Sequence, residues 1–271
     1  MNQAPVRGDL DYLTHLAQDS ARFAEVLGQT PPQMRVPTCP DWDADDLLWH
    51  LCQVQWFWGT IVGRALTTDT DVEALDKGRR PSHHDGLLAL FGQASHDLLH
   101  NLSSAPPDTP AWTWSDEQSV GFIRRRQAHE ALIHRIDAEL TARDRTPMEP
   151  DLSADGVDEA LTIMYGAVPS WGRFTPDPTQ TVRVQTTDTN HSWLLTLGQL
   201  TGFDDDGAAH DEPSLRVAVC DTDVEAAATV GGAAADLDCW LWHRPPVGQI
   251  ERAGDPVVLE LVDHTVAAGI N

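Results

Sequence analysis

Four stretches between residues 9 and 142 space their apolar side chains at helical intervals, and breaks rich in proline and glycine separate them. Successive long helices must bury their apolar stripes on one another, so this pattern restricts the fold more than any other feature. The first stretch, 9–27, presents Leu10, Leu13, Leu16, Ala17, Phe23 and Leu27. GQTPPQMRVPTCPDW interrupts the period, and Asp43 is placed to cap the next helix. Asp45 and Asp46 would follow in its first turn, where carboxylates favour the positive end of the helix dipole. That helix is expected to run to about Gly63. A third is expected from Asp85 to about Leu102, with Leu87, Leu88, Phe91, Leu98 and Leu99 inward, and a fourth from about Glu117 to Ala142. Long helices with moderate connections predict an antiparallel four-helix bundle over residues 1–150.

Past Pro147 and Pro150 the pattern changes. A helix is expected near 153–167, followed by the strand-like runs TVRVQTTD, HSWLLTLG and LRVAVCD. GGAAADLDCWLWHR returns to helical spacing. Mixed strands and helices predict a smaller α+β domain over residues 151–271. The fold class expected is therefore α plus α+β.

A formal net charge of −24 excludes nucleic acid and anionic membrane surfaces as partners, since both would repel the chain. No apolar run approaches the roughly 20 residues that span a bilayer, and MNQAPVRGDLDYL lacks the pattern of a signal peptide. Cys39, Cys52, Cys220 and Cys239 show no C-x-x-C spacing, which is consistent with reduced thiols in a cytoplasmic protein.

The fourth helix contains RRRQAHEALIHRIDAEL, residues 124–140, which is unusually polar for a helix bound for a core. Leu132, Ile133, Ile136 and Leu140 form its apolar stripe. Glu130 and His134, four residues apart, lie side by side on an adjoining stripe, and Asp137 follows one turn later. His129 and Glu130 do not open a zinc-protease H-E-x-x-H motif, because position 133 is Ile133. On the second helix, His50 shares its spacing with Leu47, Val54 and Phe57. Two arrangements suit these residues. Glu130 and His134 can be a surface pair with His50 as a hydrogen-bonded core residue. Alternatively, the bundle can bring all three together as a three-ligand metal site with one position open. The other histidines suit a site less well: His96 points away from the apolar face of its helix, and His83 and His84 are expected in a loop. Cys52 lies about 200° around the helix from His50 and should not share a metal with it.

VPTCPDWDADDLLWHL (36–51), followed by RRQAHEALIHRIDAEL, resembles the mycothiol-dependent maleylpyruvate isomerase family, within the wider DinB-like group of metal-binding four-helix bundles. VGGAAADLDCWLWHRPPVGQIERAGDP (230–256) is similar to that family's second, sterol-carrier-like domain. The resemblance implies His50, Glu130 and His134 as metal ligands, for zinc or another divalent ion, and mycothiol as a thiol cosubstrate. It further implies a small-molecule substrate, with Arg244 and Glu130 as catalytic residues. Arg79 and Arg80, in an expected loop, are also available to a substrate. Asp137 would orient a ligand histidine or pair with Arg124–Arg126. Mycothiol is actinobacterial, which agrees with a chain of one lysine and 17 arginines. The chemistry implied is thiolate addition to a conjugated double bond, rotation, and loss of the thiolate, which converts maleylpyruvate to fumarylpyruvate. Transfer of mycothiol to an electrophile and non-catalytic ligand binding are the alternatives. A monomer or small homo-oligomer is expected.

Overall fold

The computed structural model describes residues 10–76 and 78–268, which form two compact units. The first, Asp11–Pro147, is helical. It contains α1 (Tyr12–Gln29), α2 (Ala44–Gly63), a short α3 (Asp69–Glu73), α4 (His84–Ser104) and α5 (Val120–Ala142). Side-chain caps fix where several of these begin. Asp43 accepts from the Asp46 amide while the Asp46 carboxylate accepts from the Asp43 amide, a capping box that starts α2. Ser119 caps α5 through the Phe122 amide, three residues later than the sequence start at Glu117. α4 begins at His84, so that residue opens a helix rather than lying in a loop.

Contacts between the long helices set their directions. The start of α4 meets the start of α2 through His84 and Asp45, 2.6 Å apart, and through Arg80 and Asp46. Its end meets the end of α2, where Asn101 donates to the Gly59 carbonyl. α2 and α4 are therefore parallel, and the 64–83 connection carrying α3 is the crossover. α1 and α5 are also parallel, with Tyr12 against His129, Asp19 against Arg135 and Arg22 against Glu139. The two pairs run antiparallel to each other, since Phe23 of α1 packs on Phe91 of α4 while Gly28, later in α1, lies beside Leu88, earlier in α4; His50 of α2 faces Glu130 and His134 of α5. Among the buried apolar residues between them are Phe23, Leu27, Leu47, Leu51, Leu87, Phe91 and Ala138.

α5 departs most from its expected form. Arg125, Arg126, Arg135, Asp137 and Glu139 are buried along with Leu132, Ile133 and Ile136 of its apolar stripe. Part of this charge is balanced on the α1 side. The Glu139 carboxylate, fully buried, accepts from Arg22 (3.0 Å), from Arg135 (3.0 Å) and from the amide and hydroxyl of Thr146. Arg135 also pairs with Asp19 at 2.7 Å.

The second unit runs from Met148. It comprises α6 (Pro150–Glu159), a π-helical turn (Ala160–Tyr165), β1 (Gly172–Thr186), β2 (Ser192–Phe203), β3 (Ala209–Val219), β4 (Ala228–Gly232), α7 (Ala234–Leu241), β5 (Glu251–Gly254) and α8 (Pro256–Ala267). The strands form one sheet in the order β3-β2-β1-β4-β5. Neighbours are antiparallel except β1 and β4, which are parallel. The three expected strands are the cores of β1, β2 and β3. The Ala/Gly-rich β4 carries no alternating pattern long enough to reveal it. Val182, Val184, Trp193, Leu195 and Val230 pack with Leu161, Leu237, Leu241, Val258 and Val262. The buried Trp193 indole donates to Asp158 at 2.9 Å.

Glu139 should be the costliest charge to remove from the first unit. Glu139→Ala leaves the buried Arg135 short of a partner and is expected to destabilise the protein by about 3–5 kcal/mol. Glu25→Ala removes an exposed partner of the same Arg22 and should change stability by less than about 1 kcal/mol. Chemical denaturation of both variants tests the contrast, and equal losses would contradict it.

Candidate metal site

The proline-rich segment before α2 folds as successive turns, with the Val36 amide bonded to the Trp42 carbonyl, Cys39 to Val36 and Trp42 to Cys39. Buried Val36 anchors this segment to the bundle. Two of its side chains then reach toward α5 and the start of α2. Thr38 donates its hydroxyl to Asp137, and the Trp42 ring lies against the His50 imidazole, centroids 4.8 Å apart.

His50, Glu130 and His134 converge. Nε2 of His134 lies 3.2 Å from Glu130 Oε1, and Nε2 of His50 lies 3.6 Å from the same oxygen. One ligand atom from each residue falls within 4.8 Å of the others. The second Glu130 oxygen accepts from Arg126 at 3.0 Å. On its far side the His134 ring is held by Asp137, Nδ1 to Oδ2 at 2.9 Å, which leaves Nε2 directed at Glu130. A chain therefore runs from Thr38 through Asp137 to His134, the arrangement that fixes ring orientation in metal-bound histidines. Asp137 and His134 are buried, whereas His50 is about one-third exposed, so the group is open on the His50 side.

The electrostatics follow from this packing. Burial would raise the Glu130 carboxyl, but His134, His50 and the Arg126 charge hold it well below the usual carboxylate range. Burial would lower His134, but Asp137 and Glu130 raise it to about 9. Two imidazole nitrogens and one carboxylate oxygen within this span suit a divalent metal ion with positions left for exogenous ligands.

Several other residues of the first unit singled out in the sequence are engaged away from this group. Arg124 donates to the carbonyls of Leu102 and Ala105 rather than pairing with Asp137. Arg80 is engaged with Asp46. Cys52 is buried, and burial pushes its thiol up to about 11, so it is no ready nucleophile. His96 and His100 stack on the exposed side of α4. Arg244 follows α7 in the second unit, half-buried, with its guanidinium donating to the Trp242 carbonyl. Thr38 was not recognisable in advance, since a threonine between two prolines reads only as a turn residue. Its one signal was its place in the VPTCPDW segment.

Two domain families match the sequence. Residues 13–139 match the mycothiol maleylpyruvate isomerase N-terminal domain, and residues 151–261 match the MDMPI C-terminal domain. No curated protein matches. The fold is similar to the crystal structure of a mycothiol-dependent maleylpyruvate isomerase, with a TM-score of 0.53 at 11% identity over 93% of this chain and 96% of that one. A histidine-to-alanine variant of mycothiol-dependent maleylpyruvate isomerase gives a TM-score of 0.54 at 10% identity with the same coverage.

Divalent-metal uptake tests the donor set. His50→Ala and His134→Ala should each abolish stoichiometric binding, and full occupancy in both would exclude these ligands. Thr38→Val should weaken affinity about 10-fold by loosening Asp137. Below about pH 9 the metal-free His134 carries a proton that an ion must displace. Uptake at pH 7 should therefore release about one proton per ion and weaken as pH falls. Calorimetry in buffers of different ionisation enthalpy measures this, and zero release would contradict it.

Proposed function

The chain belongs to the mycothiol maleylpyruvate isomerase family, and from that premise we propose a specific activity for it. It is an enzyme that uses mycothiol to convert maleylpyruvate, or a similar unsaturated diacid, from cis to trans at a metal centre held by His50, Glu130 and His134. The observation that supports this most is the convergence of those three donors on one open point, with Asp137 and Thr38 backing His134. Zinc bound there would hold an entering thiol as its thiolate, which matters because a free thiol of pKa ~8.5 is only a few per cent ionised at neutral pH.

The chain's own groups keep fixed tasks in this account. Asp137 accepts the Nδ1 proton of His134 and so reserves Nε2 for the metal. Arg126 keeps Glu130 anionic and oriented. Trp42 restrains the His50 ring on the open side. During turnover the mycothiol sulfur adds to the conjugated double bond, and the π electrons move to the carbonyl oxygen as an enolate. Rotation occurs about the new single bond. The enolate then collapses, the C–S bond breaks, and mycothiol is returned unchanged. Arg244 is the proposed partner for a substrate carboxylate, since a guanidinium binds that group bidentately.

One observation favours a second reading. The described residues lining the cleft beside His50, namely Gln53, Val54, Trp56, Phe57 and Trp58, are uncharged. Such a wall suits a neutral electrophile to which mycothiol is transferred and retained.

Purified metal-loaded protein with mycothiol and maleylpyruvate separates the two readings. Isomerisation with full thiol recovery is expected. Thiol loss to an adduct would favour transfer, and no turnover of maleylpyruvate or of a model electrophile would contradict both. Arg244→Ala should lower kcat/KM about 10- to 100-fold with metal content unchanged. An unaltered kcat/KM would remove Arg244 from the reaction.

A further inference from the structure

α2 carries a second stripe beside the one that holds His50. Trp49, Gln53 and Trp56 stand at i, i+4 and i+7, so they share one side of the helix. Across from them α4 presents Gln93, Ala94 and Asp97, and Arg79 of the crossover closes the rim. Ala94 is too short to fill the space between the two helices, and a depression of about 180 Å³ remains. A cavity of about 150 Å³ already takes a benzene molecule, so this one has room for a single six-membered ring.

The polar groups around the depression are open to a ligand. The Gln53 amide, the Arg79 guanidinium and the indole nitrogens of Trp49 and Trp56 make no hydrogen bond to the described residues. Trp112 and Trp193, by contrast, donate to Asp69 and Asp158. Gln93 donates to one oxygen of Asp97 at 2.8 Å on the exposed side of α4, which leaves the other oxygen to accept. Indole faces bordered by amide, carboxylate and guanidinium groups match the two surfaces of a sugar ring. Its C–H faces pack on the indoles, and its hydroxyls both donate and accept at the rim. A wholly apolar guest would strip water from the rim groups without replacing it, and an anion would meet Asp97.

The depression adjoins the metal side of α2. Gln53 and Trp56 line both the depression and the cleft at His50, and Gln53 stands only about 60° around the helix from His50. One molecule can therefore place a thiol beside His50 and a ring between the helices. We propose that the depression binds a sugar ring of the thiol cosubstrate, whose cysteine is carried on a pseudodisaccharide. This rests on the reading that mycothiol is that cosubstrate. The sulfur lies at the metal, the cysteine passes over Gln53, and the ring packs on Trp49 and Trp56. Asp97, Gln93 and Arg79 take its hydroxyls. The wall formed by Val54, Phe57 and Trp58 is left to the electrophile.

The test gives metal-loaded protein three probes: mycothiol, N-acetylcysteine, which has the thiol without the sugars, and the pseudodisaccharide without its cysteine. In wild type the pseudodisaccharide should shift the indole N–H resonances of Trp49 and Trp56 in NMR spectra. Absence of both shifts would overturn the proposal. Asp97→Ala should bind mycothiol about 10-fold more weakly by calorimetry, as expected for one lost hydrogen bond to a charged group. Its affinity for N-acetylcysteine should not change. Gln93→Ala, also on the exposed side of α4, replaces it should the first variant fold poorly. Unchanged mycothiol affinity, or an equal loss for both thiols, would overturn the assignment. Failure of wild type to isomerise maleylpyruvate while the indole shifts are present would remove the isomerase reading alone.

Discussion

A helix buried almost all round must find a partner for every charge it carries, and α5 meets that demand in two ways. Toward α1 it closes its charges into ion pairs, with Glu139 and Asp19 against Arg22 and Arg135. Toward α2 it leaves a set that is incomplete by itself. Glu130 is compensated by Arg126 and by two imidazoles, one of which must take up a proton to balance the site. The closed set holds the bundle together. The open set concentrates ligand atoms where a cation can replace that proton.

This division links stability to function. The ion pairs and the Thr38–Asp137 bond fix the register of α5 against α1 and against the turn before α2. That register brings His50, one residue of a different helix, within reach of the i,i+4 pair. Metal affinity should thus depend on groups that never touch the metal, and Asp137 is the clearest of them. In the proposed reaction, reactivity comes from the metal centre, whereas selectivity comes from the cleft wall along 53–58. A common thiol-activating centre can therefore serve different electrophiles when only the wall changes.

Much of the fold could be read from residue spacing. Apolar intervals located the four long helices, and Asp43 marked the start of α2 because a carboxylate there satisfies an end amide. Helix direction could not be read this way. α4 lies parallel to α2 only because the 64–83 connection is long enough to return to the starting end, and periodicity carries no sign. The burial of α5 was hidden for a related reason, since Arg135 and Glu139 look solvated until their partners on α1 are known. The 50/130/134 grouping was one of two arrangements on spacing alone. The family resemblance weighted it, and the packing of α2 against α5 brings the three side chains together. Thr38 gave no signal beyond its place in the VPTCPDW segment, because its importance lies in what it touches.

X-ray absorption at the metal edge of zinc-loaded protein, before and after mycothiol, tests the central claim most directly. The account predicts two imidazole nitrogens and a carboxylate oxygen at first. A sulfur at about 2.3 Å should then appear when mycothiol is added. A light-atom shell that stays unchanged at saturating mycothiol would contradict it.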